Sequence, residues 1–135
     1  MLHGPPPPPA PPDKSRQAAY RRGRWAEWLS RLVLRLKGYR VLESCYRSGV
    51  GEIDIIARRG QTLVVVEVKS RPSLREAAES ITPRQRARLV RAGGAFLARH
   101  PELAGLALRF DVILVAPWGW PLHVVDAWRE SATGS

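Results

Sequence analysis

The stretch Gly51-Glu52-Ile53-Asp54-Ile55-Ile56-Ala57-Arg58-Arg59-Gly60-Gln61-Thr62-Leu63-Val64-Val65-Val66-Glu67-Val68-Lys69-Ser70 decides the fold. Glu52 to Arg58 alternates acidic and apolar residues, Arg59-Gly60 suits a tight turn, and Thr62 to Ser70 is rich in valine. This is the pattern of a β-hairpin. Strand side chains alternate, so Glu52, Asp54 and Ile56 are expected on one face, with Ile53, Ile55 and Ala57 on the other. On the second strand Leu63, Val65, Glu67 and Lys69 share a face, opposite Val64, Val66 and Val68. With Arg59-Gly60 as the two turn residues, Arg58 pairs with Gln61, Asp54 with Val65 and Glu52 with Glu67. Asp54 and Glu67 then become diagonal neighbours, about 7–8 Å apart at Cα.

Outward from the hairpin, apolar residues Trp25, Leu29, Leu32 and Leu36 recur at helical spacing between Ser15 and Lys37, with Trp28 and Val33 at the margins and Gly38 as a stop. Tyr39 to Tyr46 reads as a strand and residues 47–51 as a loop. Beyond the hairpin, Arg71-Pro72-Ser73 breaks the pattern and a short helical piece is expected over Leu74 to Glu79. Thr82-Pro83 opens a longer helix toward His100, whose buried stripe would be Leu89, Ala92 or Gly93, Phe96 and Leu97. Leu106 to Ala116 and Leu122 to Asp126 close the chain as strands around Pro117-Trp118-Gly119-Trp120-Pro121. The order αβββαββ implies an α/β sandwich built on one mixed sheet.

Two acids and a lysine thus interrupt strands that would otherwise be apolar. Crowded carboxylates repel, and a divalent cation stabilises them; hard oxygen ligands select Mg²⁺ or Mn²⁺, and no Cys/His cluster competes. Such an ion bound by Asp54 and Glu67 polarises a scissile phosphate and acidifies a water, while the Lys69 ammonium offsets developing negative charge. Alternating charge is also normal on a half-exposed sheet. Two features point to chemistry instead: Glu67 follows Leu63 to Val66 without a turn signal, and Lys69 is one of three lysines among 22 basic residues. Lysine offers a compact, tunable ammonium that arginine does not.

The 135 residues hold one domain, expected over 16–130, with a proline-rich disordered tail at 1–15 and a flexible end at 131–135. No apolar run spans a bilayer. The formal charge of +10 and pI near 11.2 favour a polyanionic partner, nucleic acid with DNA ahead of RNA, over a membrane. Arg84, Arg88 and Arg91 share one helix face and are the candidate phosphate contacts. Trp118 and Trp120 are candidates either for stacking on unpaired bases or for anchoring the loop. A single cysteine, Cys45, and the lack of a leader pattern lead us to expect a cytoplasmic protein.

Asp54 followed by Glu67-Val68-Lys69 resembles the PD-(D/E)xK nuclease signature, with Ile53 where the name places proline. The longer strings Gly51 to Ala57 and Val66 to Arg71 resemble the bacterial YraN family, a branch similar to archaeal Holliday-junction resolvases. The likeness runs from Gly23 to about Trp128 and includes Gly38-Tyr39, Thr82-Pro83-Arg84, Arg109-Phe110-Asp111 and His123 to Trp128. It implies a restriction-endonuclease-like fold and a Mg²⁺-dependent endonuclease acting on DNA, branched or single-stranded forms included. It also implies Glu27 as an additional catalytic acid, Ser48 as a loop serine, and a basic residue near position 85, where this chain has Gln85. Gln85 fits a capping box with Thr82 at least as well, and Glu52 is a supporting acid. Resolvase-like action on paired strands would call for a homodimer. The rival readings are a non-catalytic nucleic-acid-binding protein that keeps the nuclease fold, and an adaptor recruited through the proline-rich tail.

Overall fold

The computed structural model describes residues 14–129, so the expectations for the proline-rich tail and for 131–135 fall outside the described residues, save that Lys14 and Ser15 open the first helix. Nine elements follow: α1 (Lys14–Leu36), β1 (Arg40–Arg47), β2 (Glu52–Arg59), β3 (Thr62–Ser70), α2 (Leu74–Glu79), α3 (Pro83–Arg99), a 3₁₀ turn (Pro101–Leu103), β4 (Ala107–Val115) and β5 (Leu122–Trp128). The strands form one open sheet in the order β1-β2-β3-β4-β5. Only the β3–β4 pair is parallel, because the α2–α3 connection between them is long enough for a crossover. The α/β sandwich with one mixed sheet expected from the sequence is the observed architecture.

Helix α1 covers one face of the sheet. Ala26, Leu34 and Tyr39 pack there with Ile55, Ala57, Val64, Val66, Ile113 and Val115. Helix α3 covers the other, where Leu89, Ala92 and Phe96 meet Ile53, Ile56, Leu63, Val65 and Phe110. Its approach is close: a Cβ on Gly93 would sit 3.1 Å from Val65 Cγ2 and 3.3 Å from a Phe110 ring carbon. Val64, Val65 and Val66 are fully buried, as an apolar run in a strand covered on both faces should be.

Two expectations are corrected. The buried stripe of α1 is Ala26, Ser30, Val33 and Leu34, whereas Trp25 and Leu36 are 58% and 69% exposed. The helix is rotated so that its small residues meet the sheet, with the Ser30 hydroxyl donating to the Ala26 carbonyl at 2.7 Å. Small side chains let the helix axis sit closer to a valine-lined face than a tryptophan stripe would. The hairpin register also differs. Arg59 pairs with Thr62 and Arg58 with Leu63, so the turn residues are Gly60, at φ +58, and Gln61. Glycine takes the positive φ at the first turn position at no steric cost.

Candidate active site

The corrected register changes how the acids meet. The β2–β3 ladder is regular from Arg59↔Thr62 to Ile55↔Val66, and one step further it would place Asp54 directly opposite Glu67. There the strands depart from simple pairing: the Val68 amide donates to Asp54 Oδ2 at 2.8 Å. The alternation of β2 also fails at this point, since Ile53 joins Ile56 on the α3 side while Ile55 and Ala57 face α1. On the neighbouring strand, between the pairs Ser44↔Ile55 and Tyr46↔Ile53, Cys45 adopts φ +51, a left-handed conformation that costs a residue with a Cβ about 1–2 kcal/mol. The irregularity aims Asp54 at the end of the sheet, where it lines a cleft of ≈ 470 Å³ with Gly23, Glu27, Glu67, Lys69 and Arg71.

Glu67 is 6% exposed. Its Oε1 accepts from the Gln85 side-chain amide at 3.1 Å and lies 3.2 Å from Lys69 Nζ, and Asp54 is within hydrogen-bonding reach. Burial, then the negative charge of Glu67, pushes the Asp54 carboxyl up to about 7, against the opposing pull of the Val68 amide. Burial also raises Glu67, against the pull of Lys69. Leaving a buried carboxylate charged and incompletely paired costs several kcal/mol; here both acids bear part of that cost, and the negative charge of Glu67 adds to it at Asp54.

Such a pair is suited to a small divalent cation. Among the described residues no three His, Cys, Asp or Glu side chains converge into a metal-binding group, so Glu27 does not complete an all-protein triad. Mg²⁺ does not require one: it binds through one or two carboxylates and keeps several waters or phosphate oxygens. Asp54 and Glu67 would hold it, with the Gln85 amide and the Val68 N–H orienting them.

The residues around this centre match the uncharacterised protein family UPF0102 over positions 26–115. The chain belongs to the UPF0102 family. The UPF0102 protein amb4503 of Paramagnetospirillum magneticum is 56% identical over 122 residues, covering 87% of this chain and 95% of the relative. UPF0102 proteins of Parvibaculum lavamentivorans and Methylocella silvestris are each 54% identical over 112 residues, with 84% and 90% of their lengths covered. The YraN resemblance is thereby shown at the level of the family.

Within this UPF0102 fold, the other expected residues separate. Glu27, partly buried on α1, lines the cleft and accepts from the Cys45 thiol at 3.3 Å. Glu52 turns away from it, exposed and 3.8 Å from Arg47, because the break in β2 alternation separates it from Asp54. The Ser48 hydroxyl accepts from the Val50 and Gly51 amides and donates to the Gly51 carbonyl; it organises its own turn rather than the cleft. Gln85 makes only half of a capping box: its amide bonds Thr82 Oγ1 at 3.1 Å, but its side chain reaches Glu67 instead of returning to the helix start. Arg84, Arg88 and Arg91 are exposed on α3, with the Arg88 stem packed over Gly51. Trp118 and Trp120, 94% and 66% exposed, anchor nothing in the core.

Sequence reasoning missed a second buried acid. Asp111, fully buried, takes two bonds from Arg109 at 2.9 and 2.8 Å, one from His123 Nε2 at 2.8 Å and one from the Asp126 amide at 2.9 Å. Arg109 also donates to Tyr39 Oη, and Lys37 Nζ lies 2.9 Å from His123 Nδ1. His123 is therefore central to a network. His100 lies elsewhere, with its Nδ1 2.8 Å from the Phe96 carbonyl. The sequence signals for the network were an acid at the centre of an apolar strand, Leu108 to Val115, and the family likeness at Arg109-Phe110-Asp111 and His123 to Trp128, neither of which gave Asp111 a role.

Proposed function

We propose that this protein is a Mg²⁺- or Mn²⁺-dependent endonuclease that hydrolyses phosphodiester bonds in DNA. One observation carries the reading: two carboxyls driven upward by shared burial, with a lysine 3.2 Å from one of them, at the floor of an open cleft. Perturbed acids beside a cation in a cleft are a frequent mark of a reactive site. When bound, the divalent ion supplies Lewis-acid polarisation of the phosphate and acidifies a water. Asp54 and Glu67, as carboxylates, would hold that ion. The Gln85 amide and the Val68 N–H fix their carboxylates in place. Lys69 sits beside Glu67, where its ammonium can donate to a phosphate oxygen as negative charge builds. Glu27, across the cleft, accepts a hydrogen bond from a water or a strand group approaching from the α1 side. The basic surface, Arg84, Arg88 and Arg91 included, attracts the polyanion and holds its backbone.

The test is a cleavage assay over single-stranded, duplex and branched DNA and the matching RNAs, with Mg²⁺, Mn²⁺ or EDTA. Cleavage that needs the metal and is lost in Asp54→Asn supports the reading. Wild-type protein that cuts none of these substrates with either metal overturns it.

A further inference from the structure

Helix α1 leaves two large aromatic side chains in solvent. Trp25 and Trp28, 58% and 49% exposed, lie one turn apart with ring centroids 5.2 Å from each other and planes inclined by 22°. They do not sit on a convex surface. With Arg21, Arg31 and Arg47 they line a cleft of ≈ 1080 Å³ that also holds Glu27 and Glu52. This cleft and the acidic one share Gly23 and Glu27, so Gly23 forms a saddle between the tryptophans and Asp54. A Cβ there would meet nothing within 4 Å.

We propose that the Trp25/Trp28 cleft binds unpaired nucleotides of a nucleic-acid strand and leads that strand over the Gly23 saddle to the acidic site. The proposal rests on the nuclease reading for its direction, but not for its binding chemistry. Stacking of bases on aromatic faces is tolerant of sequence and needs a base free of its partner; paired bases present only their edges. Arg21 and Arg31 on the same helix, together with Arg47 on β1, neutralise the phosphates between successive bases. A bilayer fits poorly, because its plane reaches rings on a ridge and not rings in a cleft beside two glutamates. The double-stranded form is then recognised elsewhere, and the substrate class becomes a strand with an unpaired segment beside the cut.

The experiment measures affinity in EDTA, so that no cleavage is needed, for a short oligothymidine, a blunt duplex and phosphatidylserine vesicles, using the full chain. We expect Trp25→Ala/Trp28→Ala to lose at least about tenfold for oligothymidine, with duplex affinity within about twofold and an unchanged circular dichroism spectrum. Trp25→Phe/Trp28→Phe should recover most of the loss, and Arg31→Ala should flatten the salt dependence by about one phosphate contact. No loss in the alanine variant, equal loss on duplex, or vesicle binding without oligothymidine binding overturns the proposal. A protein that shows the tryptophan-dependent preference yet cuts nothing refutes the nuclease reading alone. One that cuts duplex and shows no such preference refutes this proposal alone.

Discussion

Two aspartates sit in one sheet with β3 between them, Asp54, partly buried, on β2 and Asp111, fully buried, on β4, and the fold treats them in opposite ways. Each faces a distorted neighbour strand. Opposite Asp111 the β4–β5 register jumps between Phe110↔Trp128 and Val112↔Val124, and Asp126 adopts φ +55; opposite Asp54, Cys45 adopts φ +51. At Asp111 the distortion delivers an amide to the carboxylate. Burial works to raise this acid, but the bonds from His123, Arg109 and the Asp126 amide outweigh it and hold Asp111 at about 2. At Asp54 the distortion brings a thiol to Glu27 instead, the neighbour is another acid, and the carboxyl rises to about 7. Asp111 is met by four donated bonds, whereas Asp54 and Glu67 face each other and are the pair we propose a cation would relieve.

The sharpest way to break this contrast is to neutralise each acid in turn. Asp54→Asn or Glu67→Gln should reduce metal-dependent cleavage by at least about 10³-fold, on the order of 4 kcal/mol, while the metal-free protein keeps its melting temperature or gains. Calorimetric Mn²⁺ titration should lose its binding heat in the same variants; unchanged heat in both would remove them as ligands.

Asp111→Ala should do the reverse. Removing one partner of a buried pair strands Arg109 and His123 and costs about 3–5 kcal/mol of stability, readable by urea unfolding. Metal binding at the acidic cleft should persist in whatever fraction remains folded. A variant that unfolds at the wild-type urea concentration would show that the network is dispensable.

Acidity separates the two sites with opposite signs. Asp111 has a folded pKa below its unfolded value of 3.8, so its contribution is present above that pH and disappears as pH falls toward about 2. Asp54 has a folded pKa above 3.8, at about 7, so the metal-free fold loses stability as pH rises through that window. Thermal melts in EDTA should decline on both sides, and Asp54→Asn should flatten the decline between 3.8 and about 7. An unaltered slope would mean that Asp54 is not the group responsible.

The smallest expected effect concerns Lys69. Lys69→Arg keeps the charge beside Glu67 but replaces a compact ammonium by a wider fork. Single-turnover cleavage should fall at least about tenfold, near 1.4 kcal/mol, with nucleic-acid affinity little changed. Full activity would reduce Lys69 to a charge partner, and weakened binding at an unchanged rate would make it a phosphate anchor.

Much of this was legible in the sequence because it depends on short-range periodicity. The valine run of β3, the Thr82 start of α3 with its Leu89/Ala92/Phe96 stripe, and the element order all follow from side chains a few positions apart. The proximity of Asp54 to Glu67 was legible because both stand near the same end of one hairpin, although the register moved by one residue on each strand and the break in β2 alternation took Asp54 off the Ile56 face. Glu52 was misplaced because one break in alternation, beside a left-handed Cys45, is invisible to a period of two.

The sequence by itself determined that there would be one α/β domain on a mixed sheet, strongly basic, with two acids and a rare lysine brought together by a single hairpin. Which side of α1 would be buried was decided only in three dimensions: Leu29, Leu32 and Trp25 form as plausible a stripe as Ala26, Ser30 and Leu34, and the choice rests on how near the valine-lined sheet the helix can lie. The same holds for the partners of the acids. Gln85 reaches Glu67 across 18 positions, Asp54 meets Val68 across 14, and His123 reaches Asp111 across 12. The first joins a helix to the sheet, and its placement follows from packing of the whole core; the other two lie within paired strands, at points where the ladder departs from regular pairing, which no local pattern encodes.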